Sequence, residues 1–372
     1  MQVLIATNSF KGSLSSIQAT NAINEAILSV NSSTNVVVQP MADGGSGTVD
    51  AIAQCLDVNM VSATVMGPLC EPVVAKYAII KKTKTAVIEM SAVAGLSLLP
   101  KENQNPLYTT TFGVGELIID AINRGCRDFI IGLGDSATND GGVGMLSALG
   151  VEFLDKSGAP IAKGAIGLKD LHSISIDHML PLVQKCSFRI ACDITNPLCG
   201  DNGCSAVFAL QKGAPLDSIP NMDLWLNNYA NLVCKLNKHA DPNFAGAGSA
   251  GGLGFAFLSF LNASLEQGFK IVSDIINLED SIKKADIVVT GEGKIDHQTF
   301  MGKAPGQIIN LAKKYNKQVI AFCGELDASL HGVENCYAIS SMDSPIEDST
   351  NSKIAYANLV HTATKVFASI LK

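Results

Sequence analysis

The feature that most constrains this chain is a recurring unit: an unbroken apolar run of four or five residues, a Gly- or Asp-rich bend, then a helical pattern. Such runs occupy residues 3–7, 36–39, 129–132, 287–290 and 319–323. Strands buried on both faces of a parallel sheet read this way, whereas half-exposed strands alternate. Helical patterns lie between them at 16–30, 47–55, 114–124, 142–149 and 306–315. The alternation predicts α/β layers.

One stretch breaks the rhythm. Residues 73–80 and 85–90 read as two strands around the polar turn Lys81-Lys82-Thr83-Lys84, which predicts an antiparallel hairpin. Strand spacing stays irregular to about residue 265, and the regular pattern resumes at Ala285. The simplest account is a parallel-sheet, Rossmann-like domain built from 1–70 and 270–372, with a second α/β domain, 71–269, inserted. A length of 372 residues suits two domains. Small ligands are then expected at the carboxyl ends of strands, in the cleft between the domains.

Composition narrows the function. With 47% hydrophobic and 16% charged residues the chain is not disordered. A net charge of −7 with three arginines (Arg124, Arg127, Arg189) argues against a nucleic-acid partner. The longest apolar stretch, 253–263, is broken by Gly254, Ser259 and Asn262 and falls short of the ~20 residues a membrane helix needs. Met1 leads directly into a strand-like run with no charged leader, so a cytoplasmic enzyme is expected. Ten cysteines form no C-x-x-C pair; Cys192, Cys199 and Cys204 are the closest group, and reduced thiols are the expectation.

Five polar, glycine-bearing segments carry the chemistry. The first is Asn8-Ser9-Phe10-Lys11-Gly12-Ser13-Leu14, and the second Ala42-Asp43-Gly44-Gly45-Ser46-Gly47-Thr48. The third runs from Gly132 to Gly142 and holds Asp135, Ser136, Asp140 and Gly141. The fourth, Cys192-Asp193-Ile194-Thr195-Asn196-Pro197-Leu198, leads on to Gln211-Lys212-Gly213. The fifth is Thr290-Gly291-Glu292-Gly293-Lys294-Ile295-Asp296, with Gly302-Lys303 close behind. Glycine lets backbone N–H groups close on an anion, and a following helix start adds partial positive charge. Lysine brings a point charge to phosphate, and Asp, Asn, Ser and Thr offer hard oxygens to Mg2+. These parts suit phosphoryl transfer, where catalysis is mostly placement and charge neutralisation. Any single bend of this kind is ordinarily a tight strand–helix connection. Five of them point to a ligand site.

Other signatures fail. There is no G-x-x-x-x-G-K-[ST] and no G-x-S-x-G. Gly246-Ala247-Gly248-Ser249-Ala250-Gly251 spells G-x-G-x-x-G but follows a polar loop instead of a strand, so it reads as a glycine-rich helix start. A nicotinamide-dependent oxidoreductase would have to use that loop. The six histidines (His172, His178, His239, His297, His331, His361) form no metal-ligand spacing, and His297 stands out only by following Asp296.

In order and end to end, the five segments resemble the bacterial glycerate kinase family. Ser9–Leu14, Ala42–Gly45 with Gly47-Thr48, Ser136–Gly142, Cys192–Leu198 and Thr290–Gly293 with Asp296, Thr299, Gly302 and Lys303 are similar to its motifs. The resemblance implies ATP, Mg2+, a three-carbon hydroxy acid, a two-domain α/β fold with a discontinuous first domain, and 2-phosphoglycerate as product. It leaves a homo-oligomer open. The chain departs from the pattern at Asn8, where the family has Asp, at Ser46, where it has Glu, and at Asp135, where it has a second Gly. An amide can bond a hydroxyl but cannot take a proton at neutral pH. The general base is therefore expected on Asp193 or Asp296. ATP phosphates are expected against Gly141 and Gly142 and against Gly291, Glu292 and Gly293, with Mg2+ on Asp43 or Asp140. Glycerate is expected near Ser9, Lys11, Asn196 and Lys212, and Lys303 is expected to neutralise the transferred phosphoryl group. A hydroxy-acid sensor that lost catalysis through Asn8 is the alternative.

Overall fold

The computed structural model describes residues 1–327, 335–339 and 351–371, so His331 lies outside the described residues. Its first strands are β1 (Gln2–Ile5), β2 (Asn35–Val38), β3 (Val58–Met66), β4 (Pro72–Ile80), β5 (Thr85–Glu89) and β6 (Asp128–Gly132). They are followed by β7 (Glu152–Leu154), β8 (Ser173–Ser175), β9 (Ser187–Ala191) and β10 (Ala263–Glu266). Last come β11 (Ile287–Ile295), β12 (Gln318–Leu326) and β13 (Cys336–Ala338). Backbone proximity groups Met1–Asp43, Asp50–Leu56 and Phe269–Lys372 into one unit, and Gly44–Val49 with Asp57–Gly268 into another.

The first unit is built on a parallel sheet in the order β13-β12-β11-β1-β2. Val3, Leu4, Ile5, Val288 and Val289 are fully buried, as their unbroken apolar runs require. The helix Ser16–Val30 starts at a capping box: Ser15 Oγ accepts from Gln18 N while Gln18 Oε1 accepts from Ser15 N. Ala19, Ala22, Ile23, Ala26 and Ile27 form its buried face and pack in one core with Leu359, Ala363 and Phe367 of the helix Ser352–Ile370. Truncating Ile23 to Ala would cost about 2–5 kcal/mol.

The second unit holds a mixed sheet in the order β10-β9-β6-β5-β4-β3. Strands β5, β6, β9 and β10 are parallel, and β3, β4 and β5 antiparallel. The hairpin of β4 and β5 forms as expected, with Lys84 at φ +55° in its turn. Strand β3 falls inside the 1–70 span expected for the terminal domain, yet pairs without a break from Val58–Ile80 to Met66–Pro72, and its contacts group it with the second unit. Polar residues Asn59, Ser62 and Thr64 along this edge strand weaken its apolar signal.

Candidate active site

In the first unit the chemistry gathers at the carboxyl ends of β1, β2 and β11. Backbone bonds between Phe10 and Leu14 close a tight turn, with the Phe10 ring buried beneath it. That turn leaves Lys11 exposed and Ser9 half-buried. Asn8 is only 8% exposed. Its N–H donates to Gly291 O (2.9 Å), its Oδ1 accepts from Ser9 N (2.8 Å), and its Nδ2 donates to Asp43 Oδ2 (3.4 Å). The amide thus brackets a half-buried carboxylate that a second carboxylate at this position would repel.

Glu292 is 7% exposed and accepts from Thr299 Oγ1 at 2.6 Å. Burial raises its pKa; the Thr299 bond and Lys303 oppose this, and the Asp296 and Asp43 carboxylates add to it. Asp296 caps the turn His297–Met301, its Oδ1 accepting from Gln298 N (2.9 Å) and Thr299 N (3.3 Å). Lys303 Nζ lies 4.0 Å from the same oxygen, directly before the helix Ala304–Lys314. One oxygen of the expected base is therefore committed to local structure.

The fifth segment is not a bend. Strand β11 runs through it to Ile295, because β12 pairs with it as far as Leu326. A Cβ on Gly291 would lie 2.3 Å from Phe322 O, and one on Gly293 3.0 Å from Lys11 N. These glycines let a neighbouring strand and the Phe10 turn approach. They do not open a helix-start anion cradle.

In the second unit several expected site residues prove to be internal supports. Asp140 is 1% exposed. Its Oδ2 accepts from Thr111 N (2.8 Å), Thr111 Oγ1 (2.9 Å) and Gly144 N (3.2 Å), and its Oδ1 from Gly142 N (3.1 Å). Oδ2 is saturated and Oδ1 already accepts one bond in a site almost closed to water, a poor setting for an Mg2+ that keeps most of its water. Gly141 N donates to Gly251 O at 2.9 Å, and a Cβ on Gly142 would meet Ala256 Cβ at 2.5 Å. Both glycines adopt positive φ and have their N–H groups engaged within the protein, so neither N–H is directed at a phosphate.

Lys212 is likewise interior, at 4% exposure, with Nζ donating to Ser136 Oγ and Thr138 O, both at 2.8 Å. Burial pushes its pKa down to about 8 against the opposing charges of Cys204 and Asp140. It holds the loop after β6 from beneath, with Nζ engaged inside the protein. Asn196 is half-buried, its Nδ2 donating to Asn202 O at 2.9 Å. Asp193 is exposed at the carboxyl end of β9, where its Oδ1 accepts from Gly268 N at 2.9 Å. The Gly246–Gly251 stretch does open a helix, Ser249–Phe260, but through three left-handed residues, Ala250, Gly251 and Gly252. A Cβ on Gly251 would lie 2.1 Å from Thr138 O, so glycine there serves close packing against the third segment.

Two residues singled out only as departures turn out to be partners. Ser46 N and Oγ donate to Asp135 Oδ2 at 3.2 and 2.8 Å, across 89 positions of sequence. The signal was present as two departures from one pattern, but nothing in the sequence joins them.

Acids at the carboxyl ends of parallel strands in each α/β unit, with Lys11 and Lys303 beside those of the first, fit an enzyme of the α/β class that binds its ligand at strand ends. The chain belongs to the glycerate kinase family, whose family model matches residues 3–371, and it is accordingly an enzyme of the kinase type. It is 40% identical to the glycerate 2-kinase of Escherichia coli K12, covering 100% of this chain and 98% of that one. It is 39% identical to the glycerate kinase of Bacillus subtilis 168, again covering 100% and 98%. A crystal structure from Salmonella typhimurium LT2, of a protein assigned as glycerate kinase 2, superposes with a TM-score of 0.89 at 40% identity, covering 100% of this chain and 98% of that chain. No helix among the described residues is long and apolar enough to cross a membrane.

Proposed function

We propose that the chain transfers the γ-phosphoryl group of ATP to D-glycerate, with 2-phosphoglycerate as the favoured product. What carries this reading is the first-unit cluster of Asn8, Asp43, Glu292, Asp296 and Lys303, in a chain similar along its whole length to named glycerate kinases. The name of the Escherichia coli relative supports the 2-position. Mg2+ keeps most of its water and takes one or two carboxylates. Asp43, half-buried beside the Asn8 amide and within electrostatic range of Glu292, fits that demand, whereas Asp140 does not. Held there, the ion would neutralise phosphate charge.

Lys303 then balances charge on the moving phosphoryl group, and Lys11 attracts the substrate carboxylate. Asp193 orients the attacking hydroxyl and takes its proton. Asn8 fills a holding role, so its lack of basicity does not stop the reaction. The test is a coupled ADP-release assay over a panel of short hydroxy acids, with NMR of the product. ADP release with D-glycerate and a phosphorus coupling to the C2 proton are expected. Glycerate binding without ADP release would favour the sensor reading.

A further inference from the structure

The loop after β6 carries two acids in opposite surroundings. Asp140 is sealed inside, while Asp135 is exposed at the tip with φ +60°. A positive φ is uncommon for a residue with a Cβ and persists where neighbours over-determine it. Here they do. Ser46 N and Oγ grip Asp135 Oδ2, Leu96 N donates to Asp135 O at 2.9 Å, and Ser46 Oγ lies 3.3 Å from Ser91 Oγ. The backbones below are equally close, since a Cβ on Gly134 would come 2.6 Å from Gly45 Cα. Among the described residues Asp135 Oδ1 has no partner. A rigid, exposed carboxylate at the carboxyl end of a parallel strand, held in a costly backbone conformation, suits ligand recognition better than stability.

We infer that Asp135, gripped by Ser46, is a specificity-determining residue of this chain whose open Oδ1 accepts a hydrogen bond from a hydroxyl of the acceptor acid. The inference rests on the reaction proposed above. Its charge repels the substrate's carboxylate, so the hydroxyl-bearing end must face it. The two departures noted in the sequence are thereby linked: the acid stands on residue 135 and the small polar group on residue 46, and the two are bonded.

The test compares glycerate with lactate, which lacks the 3-hydroxyl, and 3-hydroxypropionate, which lacks the 2-hydroxyl. Each is measured as substrate or competitive inhibitor, and by titration calorimetry, which needs no turnover. The wild-type chain is expected to favour glycerate over one analogue by ten- to a hundredfold. Asp135→Asn should weaken glycerate about tenfold and Asp135→Gly up to a hundredfold, with that analogue unchanged, so that the preference collapses. Ser46→Ala should show the same pattern more weakly. KM for ATP should hold in all three, and a cooperative urea transition should show that each variant is folded. A preference for glycerate that survives Asp135→Gly would overturn the inference, as would a raised Mg2+ requirement with the preference intact. Failure of the underlying reaction shows separately, as a wild-type chain that binds glycerate but releases no ADP.

Discussion

Replacing Asp140 tests whether this acid is a support or a metal ligand. Asp140→Ala leaves the N–H groups of Thr111, Gly142 and Gly144 without their acceptor in a site 1% exposed. At about 1–3 kcal/mol for each buried donor left unmade, the loss is about 3–9 kcal/mol before any relief from removing a buried charge. Domains of this kind have only about 5–15 kcal/mol to lose. Asp140→Asn keeps one oxygen for the donors converging on Oδ2 and turns its NH2 on Gly142 N, so one donor is unmatched and the cost is about 1–3 kcal/mol. Trp225, the one tryptophan, lies on the helix Ile219–Leu236 of the same unit and reports its urea unfolding by fluorescence. The order wild type, Asn, Ala is expected, with the same gaps in EDTA and in Mg2+. An Ala variant within about 0.5 kcal/mol of wild type, the ordinary range for surface substitutions, would refute the support role, and a gap that opens only in Mg2+ would restore the metal-ligand role.

Three further outcomes follow from the same geometry. Lys212 has a folded pKa of about 8, below the ~10.4 of a free lysine, so between those values the unfolded chain holds the extra proton and this residue's contribution to stability rises with pH. Lys212→Met should remove that rise: its stability relative to wild type, by urea unfolding, should fall by about 3 kcal/mol from pH 7 to pH 10.5. Glu292 is raised by burial, so its charge is lost above the usual glutamate pKa of ~4.3 as pH falls. The acid limb of kcat/KM should lie above that value, and Glu292→Gln should lower activity and abolish the limb. Asn8→Asp would set a second carboxylate beside Asp43, where the amide Nδ2 now lies 3.4 Å from Oδ2. The Mg2+ concentration for half-maximal rate should drop several-fold; an unchanged requirement would move the metal away from Asp43.

Much of the fold was legible because fully buried parallel strands leave unbroken β-branched runs, as at Val3, Ile130, Val288 and Ile320. Strand β3 was not, since a polar edge strand lacks that signature. The site was less legible for a physical reason. Glycine between β-branched residues and an acid reads as a bend, yet Gly291 and Gly293 sit inside a strand because β12 pairs along it, and Phe322 O and Lys11 N occupy the space a side chain there would need. Asp140 and Lys212 look like surface chemistry until donors from Thr111, and acceptors at Ser136 and Thr138, fold around them. The Ser46–Asp135 bond spans 89 residues and leaves no local trace.

The most direct measurement is the kcat of Lys303→Ala and Asp193→Asn, side by side, on D-glycerate with ATP and Mg2+. Lys303 belongs to the first unit and Asp193 to the second. Both variants should stay folded and lose about 10²–10³ in kcat, the scale of a lost charge-stabilising or proton-accepting group. Wild-type turnover by either variant would contradict the role proposed for that residue.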